Sequence, residues 1–384
     1  MEILRMSQRY DVVIAGLGAM GSSAAYHLAR SGLKILGLDR FAPPHSLGSS
    51  HGQTRIIREA YWEHPLYVPL VRRAYELWAR LEQESGRELY RRTGGLMIGR
   101  PEEELIEGTL RSIDEYKIAH EILTVEEIRR RYPAINIPHE KMIGVLEHKA
   151  GILFPELCVD THLNLARKHG AEIHFDEPVN TWQLDGEGVR ISTSKGEYLA
   201  GRLLISAGAW AGSLLAELNL PLSVERQVLL WLKPSGDHSL FGLEKLPIFL
   251  WGYQPGHMIY GFPDIGDGLK IAFHHNGQTV TPEDINRSVS DEEVESHRAI
   301  LRQFMPEADG DLLSAAVCMY TNTPDGHFLI DFHPESDRVL LASPCSGHGF
   351  KFSSVIGEIL CDMLLEGESA FDISPFRLDR TQLS

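Results

Sequence analysis

The stretch Val12-Val13-Ile14-Ala15-Gly16-Leu17-Gly18-Ala19-Met20-Gly21, with a helix-like run to Arg30, a stop at Gly32 and a second apolar run from Ile35 to Leu38 ending in Asp39, decides the fold. It reads as strand, glycine turn, helix, strand. The first glycine of a G-x-G-x-x-G turn permits the tight bend. The second lets a pyrophosphate approach the backbone, and the third lets the helix pack on the strand. The helix N-terminus then faces the phosphates across Ala19 and Met20. Asp39, followed by Arg40, stands where an acceptor for a ribose hydroxyl belongs. These features predict a Rossmann-like dinucleotide-binding domain and leave FAD and NAD both open.

The rest of the chain narrows that choice. A helix is predicted over Tyr67 to Glu84, with Pro69 in its first turn and Gly86 beyond its end. From about residue 87 short strands and helices take over, and Thr124 with Glu127 reads as a capping box opening a helix that Pro133 closes. The first style returns at 155–210, with a helix over 157–168, a strand at 171–175, an alternating stretch near 179–192 and the apolar run Leu203-Leu204-Ile205. Residues 222–320 are strand-rich, at 228–232, 248–251, 258–260 and 269–273. A strand at 339–342, a glycine-bearing loop and a helix from Ser353 to Leu365 close the chain. The expected architecture is α/β: an FAD-binding domain of residues 1–86, 150–218 and 321–384, interleaved with an α+β substrate domain of 87–149 and 219–320 on a mixed, largely antiparallel sheet. A cofactor fold in separated pieces favours FAD over a nicotinamide.

Composition excludes other classes. The 384 residues are 43% hydrophobic and 23% charged, close to globular averages, which rules out collagen-like, coiled-coil and low-complexity chains. A net charge of -16 argues against nucleic acid and anionic membrane as partners. No apolar run reaches the length of a membrane helix, and the N-terminus lacks the apolar block of a signal peptide. Gln382-Leu383-Ser384 is not a peroxisomal address, so a cytoplasmic location is expected. Cys158, Cys318, Cys345 and Cys361 are widely spaced, with neither disulfide nor metal-site spacing, and no metal is expected.

The stretches Ser50-His51-Gly52-Gln53-Thr54-Arg55-Ile56-Ile57-Arg58, Tyr260-Gly261-Phe262-Pro263, Cys318-Met319-Tyr320-Thr321 and Ser346-Gly347-His348-Gly349-Phe350-Lys351-Phe352 resemble those of the monomeric sarcosine oxidases, the group that also holds N-methyltryptophan and pipecolate oxidases. The likeness runs over essentially the whole chain. It implies a monomeric flavoprotein oxidase of N-methyl amino acids, with FAD carried by Cys318 through a thioether. It also implies a carboxylate clamp of Arg55 and Lys351, a substrate-side pair of Tyr260 and His274, and Lys270 beside the flavin where oxygen is reduced. Ser50, His51, Thr54, Arg58, Val179, Ala207, Gly208, Trp210, Met319, Tyr320, Gly347, His348, Gly349 and Phe350 are the remaining expected cofactor contacts. Arginine offers a planar two-pronged donor to a carboxylate and lysine a point charge, which suits that pair to an amino acid. The sequence departs from the sarcosine oxidases at Gln53, where they carry an acid, and at Pro344-Cys345, where they carry glycine and phenylalanine; both positions are expected to border the flavin. The alternatives are a related secondary amine, including proline, and a dehydrogenase using another electron acceptor.

Overall fold

The computed structural model describes residues 9–380. Most of the N-terminal segment read for a leader, and Gln382-Leu383-Ser384, lie outside the described residues. No described helix is long and apolar enough to cross a membrane.

The opening stretch forms the strand Arg9–Ala15, the helix Ala19–Arg30 and the strand Ile35–Leu38. Val13 and Ile14 are completely buried, as a parallel strand covered on both faces requires. Five parallel strands make the core of an eight-stranded sheet: Arg9–Ala15 pairs with Glu197–Ile205 on one side and Ile35–Leu38 on the other, and Ser336–Ser343 and Glu172–His174 flank them. The alternating stretch near 179–192 resolves into an antiparallel pair, Val179–Asp185 and Gly188–Thr193, turned at Gly186 with φ 57°. Helices Pro155–Lys168 and Ser353–Glu366 pack on Ala19–Arg30. A Cβ on Gly21 would come within 1.8 Å of the Gly16 carbonyl oxygen, so the third glycine is what lets this helix lie on its strand.

A second sheet of nine strands is mixed and largely antiparallel, with one parallel pairing between Ile248–Gln254 and Gly95–Gly99. One of its edges is Leu312–Asn322, which carries Cys318 and is paired along its length to Ser223–Leu232. A small third sheet joins Arg55–Ile57, Tyr90–Arg92 and Gly151–Leu153. The capping box at Thr124 and Glu127 forms and opens the helix Val125–Arg131. Two amphipathic helices, Glu104–Tyr116 and Asp291–Phe304, and the strand Leu312–Asn322 have no counterpart in the sequence reading. Their apolar faces are narrow: the second helix buries only His297, Leu301 and Phe304.

Candidate active site

One cavity collects segments distant in sequence. At one end it is lined by Gly16, Gly18, Ala19, Met20, Asp39, Arg40, Ser50, Val179, Ala207, Gly208 and Trp210. At the other it is lined by Arg55, Arg58, Tyr260, His274, Cys318, Met319, Tyr320, Gly347, His348, Gly349, Phe350 and Lys351. Gly21, His51, Thr54 and Lys270 do not line it; they stand behind its wall.

The first end suits a dinucleotide. The helix Ala19–Arg30 has no acidic residue in its first turn and Gly18 offers no side-chain cap; Ser50 Oγ accepts from the Ala19 amide at 3.2 Å, and the positive end of the helix faces the cavity as a phosphate requires. Asp39 is buried, with its carboxylate oxygens accepting from Leu17 N at 2.6 Å and Phe41 N at 2.9 Å, which fixes the acid at the end of its strand. A Cβ on Gly16 would meet the Ser206 carbonyl oxygen at 2.6 Å, so the turn closes only on glycine.

Beyond it, four cations fall into two pairs: Arg58, Lys270 and Lys351 are buried and Arg55 is half-buried. Arg55 donates to Thr54 O and Ser49 O, both at 2.8 Å, and its Nη2 lies 3.5 Å from Cys318 Sγ. Lys270 donates to Gly52 O at 2.6 Å, Thr54 O at 3.0 Å and Thr54 Oγ1 at 3.1 Å. It is 2% exposed, and burial with Arg55 nearby pushes its pKa well down. Gly52, at φ 99°, and Gln53, at φ 66°, form the turn that aims the Gly52 carbonyl at Lys270, and both amides are held by Glu156 Oε1. The Gln53 side chain is exposed and donates to Asp267 at 3.1 Å, so this departure points away from the cavity, whereas Pro344 and Cys345 do line it. Burial and the charges of Arg55 and Lys270 push His51 down to about 3, leaving it neutral.

The second pair is Arg58 with Lys351. Arg58 Cζ lies 4.4 Å and Lys351 Nζ 5.1 Å from the centroid of the same ring, that of Tyr61. Arg55, expected to clamp with Lys351, lines the same cavity but is turned to Cys318, while Arg58 shares Tyr61 with Lys351. Two residues of extended chain, Ile56 and Ile57, separate the two arginines, and an odd offset of three sends their side chains to opposite faces. Arg58 Nη2 bonds Glu63 at 2.6 Å and Nη1 bonds Ala60 O at 2.7 Å, while its buried Nε finds no acceptor among the described residues. Burial, reinforced by Arg58, pushes Lys351 down to about 7.

Between the pairs lie Tyr260 and His274. Their rings meet edge-on at 6.3 Å, and the Tyr260 hydroxyl is 3.4 Å from that of Tyr320. Burial and the neighbouring His275, His348, Lys351 and Arg58 push His274 well down, so it is a neutral imidazole that can accept a hydrogen bond, in surroundings that disfavour added positive charge. Sequence reasoning missed Tyr61, Trp62 and Glu63. Trp62 lines the cavity edge-on to His274 at 6.2 Å, its carbonyl so close to the helix Glu104–Tyr116 that a Cβ on Gly108 would come within 2.1 Å of it. Their only signal was adjacency to Arg58.

The sequence matches the family described as FAD dependent oxidoreductase over residues 11–363. It is 45% identical over 375 residues, 97% of each chain, to the monomeric sarcosine oxidase of Streptomyces avermitilis. It is 38% identical over 97% of this chain and 99% of the relative to the N-methyl-L-tryptophan oxidase of Salmonella heidelberg. Among solved structures, the amino acid oxidase NikD shares the fold, with a TM-score of 0.84 over 97% of this chain and 98% of that one at 22% identity. A glycine-turn dinucleotide site opening onto a cation-lined, aromatic cavity, and likeness over nearly its whole length, place the chain in the FAD-dependent oxidoreductase family, in its group of monomeric sarcosine oxidases and N-methyltryptophan oxidases.

Proposed function

We propose that the protein oxidises small N-methyl amino acids, converting sarcosine, O2 and H2O to glycine, formaldehyde and H2O2. The observation that carries this is the 45% identity, over 97% of both chains, to a monomeric sarcosine oxidase. The cavity supports it: Lys351 and Arg58 suit the carboxylate, and the surroundings that keep His274 neutral beside Tyr260 also favour the neutral form of the amine, the form that is oxidised. FAD, when bound, accepts the two electrons of the C–H bond and returns them to oxygen. For holding it, the helix N-terminus at Ala19 and Met20 suits the phosphates, Asp39 the ribose, and Cys318 a thioether link, with Arg55 at 3.5 Å supplying positive charge at the sulfur. Lys270, whose three oxygen acceptors favour the ammonium form against its burial, would supply positive charge from behind the cavity wall, favouring reduction of O2 to an anion.

The division into an FAD-binding domain of 1–86, 150–218 and 321–384 and a substrate domain of 87–149 and 219–320 belongs to the same reading, as does a cytoplasmic monomer. Trp62 on the cavity wall favours a small side chain over that of N-methyltryptophan. Peroxide release measured over sarcosine, N-methyltryptophan, pipecolate and proline tests the proposal, together with anaerobic bleaching of the flavin. Bleaching without peroxide identifies a dehydrogenase, and no bleaching with any of the four overturns the reading.

A further inference from the structure

Lys351 is held by a hydrogen-bond chain whose direction the stereochemistry determines. His348 Nε2 lies 3.0 Å from Gly326 O, and a carbonyl can only accept, so Nε2 carries the ring proton. Burial pushes His348 down to about 4, so the ring is neutral and Nδ1 is an acceptor. The Tyr61 hydroxyl, 2.7 Å from Nδ1, donates to it. With its proton committed there, the Tyr61 oxygen can only accept from Lys351 Nζ, at 3.3 Å. Lys351 Nζ also donates to His348 O at 2.9 Å, and Trp78 Nε1 donates to the Lys351 carbonyl at 3.0 Å. Tyr61 is itself anchored: its carbonyl accepts from Ser112 Oγ, and its ring packs against Tyr67 and Phe352. An ammonium has three N–H groups. Two are engaged, and among the described residues the third has no acceptor, in a side chain that lines the cavity.

We infer that Tyr61 and His348 are positioning residues that orient Lys351 so that its one uncommitted N–H faces the carboxylate of the ligand. The inference rests on the proposed reading of the cavity as an amino acid site and goes beyond it in naming what sets the geometry of the cation.

The test is a double-mutant cycle on the flavin-loaded enzyme, titrated with acetate and phenylacetate and read by the perturbation of flavin absorbance, which needs no turnover. Tyr61→Phe, which removes only the hydroxyl, is expected to weaken carboxylate binding about tenfold in the native background and less than about twofold in Lys351→Met, since a residue acting through another loses its effect when that other is gone. An equal loss in both backgrounds means that Tyr61 is merely structural and overturns the inference. Unchanged binding in Tyr61→Phe, or no carboxylate binding by the native enzyme, also overturns it. If Tyr61→Phe does not accumulate, His348→Gln replaces it; the shorter, single-ended amide cannot bridge Tyr61 to Gly326, and the same loss and the same dependence on Lys351 are expected. Carboxylate binding without oxidation of any N-methyl amino acid would remove the proposed activity and leave this inference standing.

Discussion

The two cation pairs that flank Tyr260 and His274 differ in what they have left to offer. Lys270 is saturated, its three N–H groups going to Gly52 and Thr54, and Arg55 is tied back to Ser49, Thr54 and Cys318. They can act on a neighbouring group by charge, and Lys270 has no hydrogen bond to spare. Arg58 and Lys351 are incompletely satisfied, with one Nε and one ammonium N–H open. That pair can bind a ligand directly. A buried unmet donor costs roughly 1–3 kcal/mol, and a carboxylate that supplies the acceptor recovers it, so the same residue types serve two purposes according to how the backbone meets them. In a chain of net charge -16, such enclosed cations are also what lets an anion enter.

The largest expected effect tests the saturated side. If Cys318 carries the flavin, acid precipitation of the native enzyme leaves yellow colour in the pellet, and Cys318→Ala releases all of it to the supernatant. Next, Lys270→Met should slow reoxidation by O2 about 100-fold or more, the scale for losing one preorganised electrostatic contact, with only a modest fall in anaerobic reduction by substrate. Stopped-flow absorbance of the flavin measures both steps, and equal slowing would place Lys270 among the substrate contacts and erase the distinction between the pairs.

The open side predicts smaller changes in affinity. Lys351→Met should raise the Kd of acetate about 30-fold and Arg58→Lys about tenfold, the range for charge-assisted hydrogen bonds, whereas Arg55→Lys should change it less than about threefold. The reverse order would restore Arg55 as the clamp. Lys351, faced by Arg58, Glu63, Tyr61 and His348, titrates at about 7 in the free site. Only its protonated form donates to a carboxylate, so the Kd of acetate should be flat between about pH 6 and 7, where acetate is ionised, and rise up to about tenfold per pH unit above it, as linkage requires when the complex stays protonated. Lys351→Met should flatten that rise. The smallest effect concerns Trp62: opening the wall with Trp62→Gly should shift the ratio of kcat/KM for N-methyltryptophan over sarcosine upward about fivefold, and an unchanged ratio would exclude the indole from selectivity.

Legibility followed the range of the interactions. The turn at Gly16, the helix Ala19–Arg30 and Asp39 depend on neighbours within one strand-turn-helix unit, and the sequence placed every one of them. Helix Glu104–Tyr116 went unread because its buried face is judged only against partners elsewhere, and one of those partners is Trp62, whose carbonyl packs on Gly108. The place of Arg58 beside Lys351 went unread for the same reason. Arg55 and Arg58 lie in one short motif and are chemically alike, and only the approach of Tyr61 from one side and Cys318 from the other separates their roles.

What the sequence by itself determined is the dinucleotide fold, the interleaving of two sheets and the family to which the chain belongs, because glycine spacing, apolar periodicity and long matching motifs are local properties of the chain. What only the tertiary structure decided is which donors remain free. That depends on carbonyl groups of Gly52, Thr54, Gly326 and His348, which every residue possesses and no side-chain pattern announces, and on how the fold turns them toward a lysine or away from it.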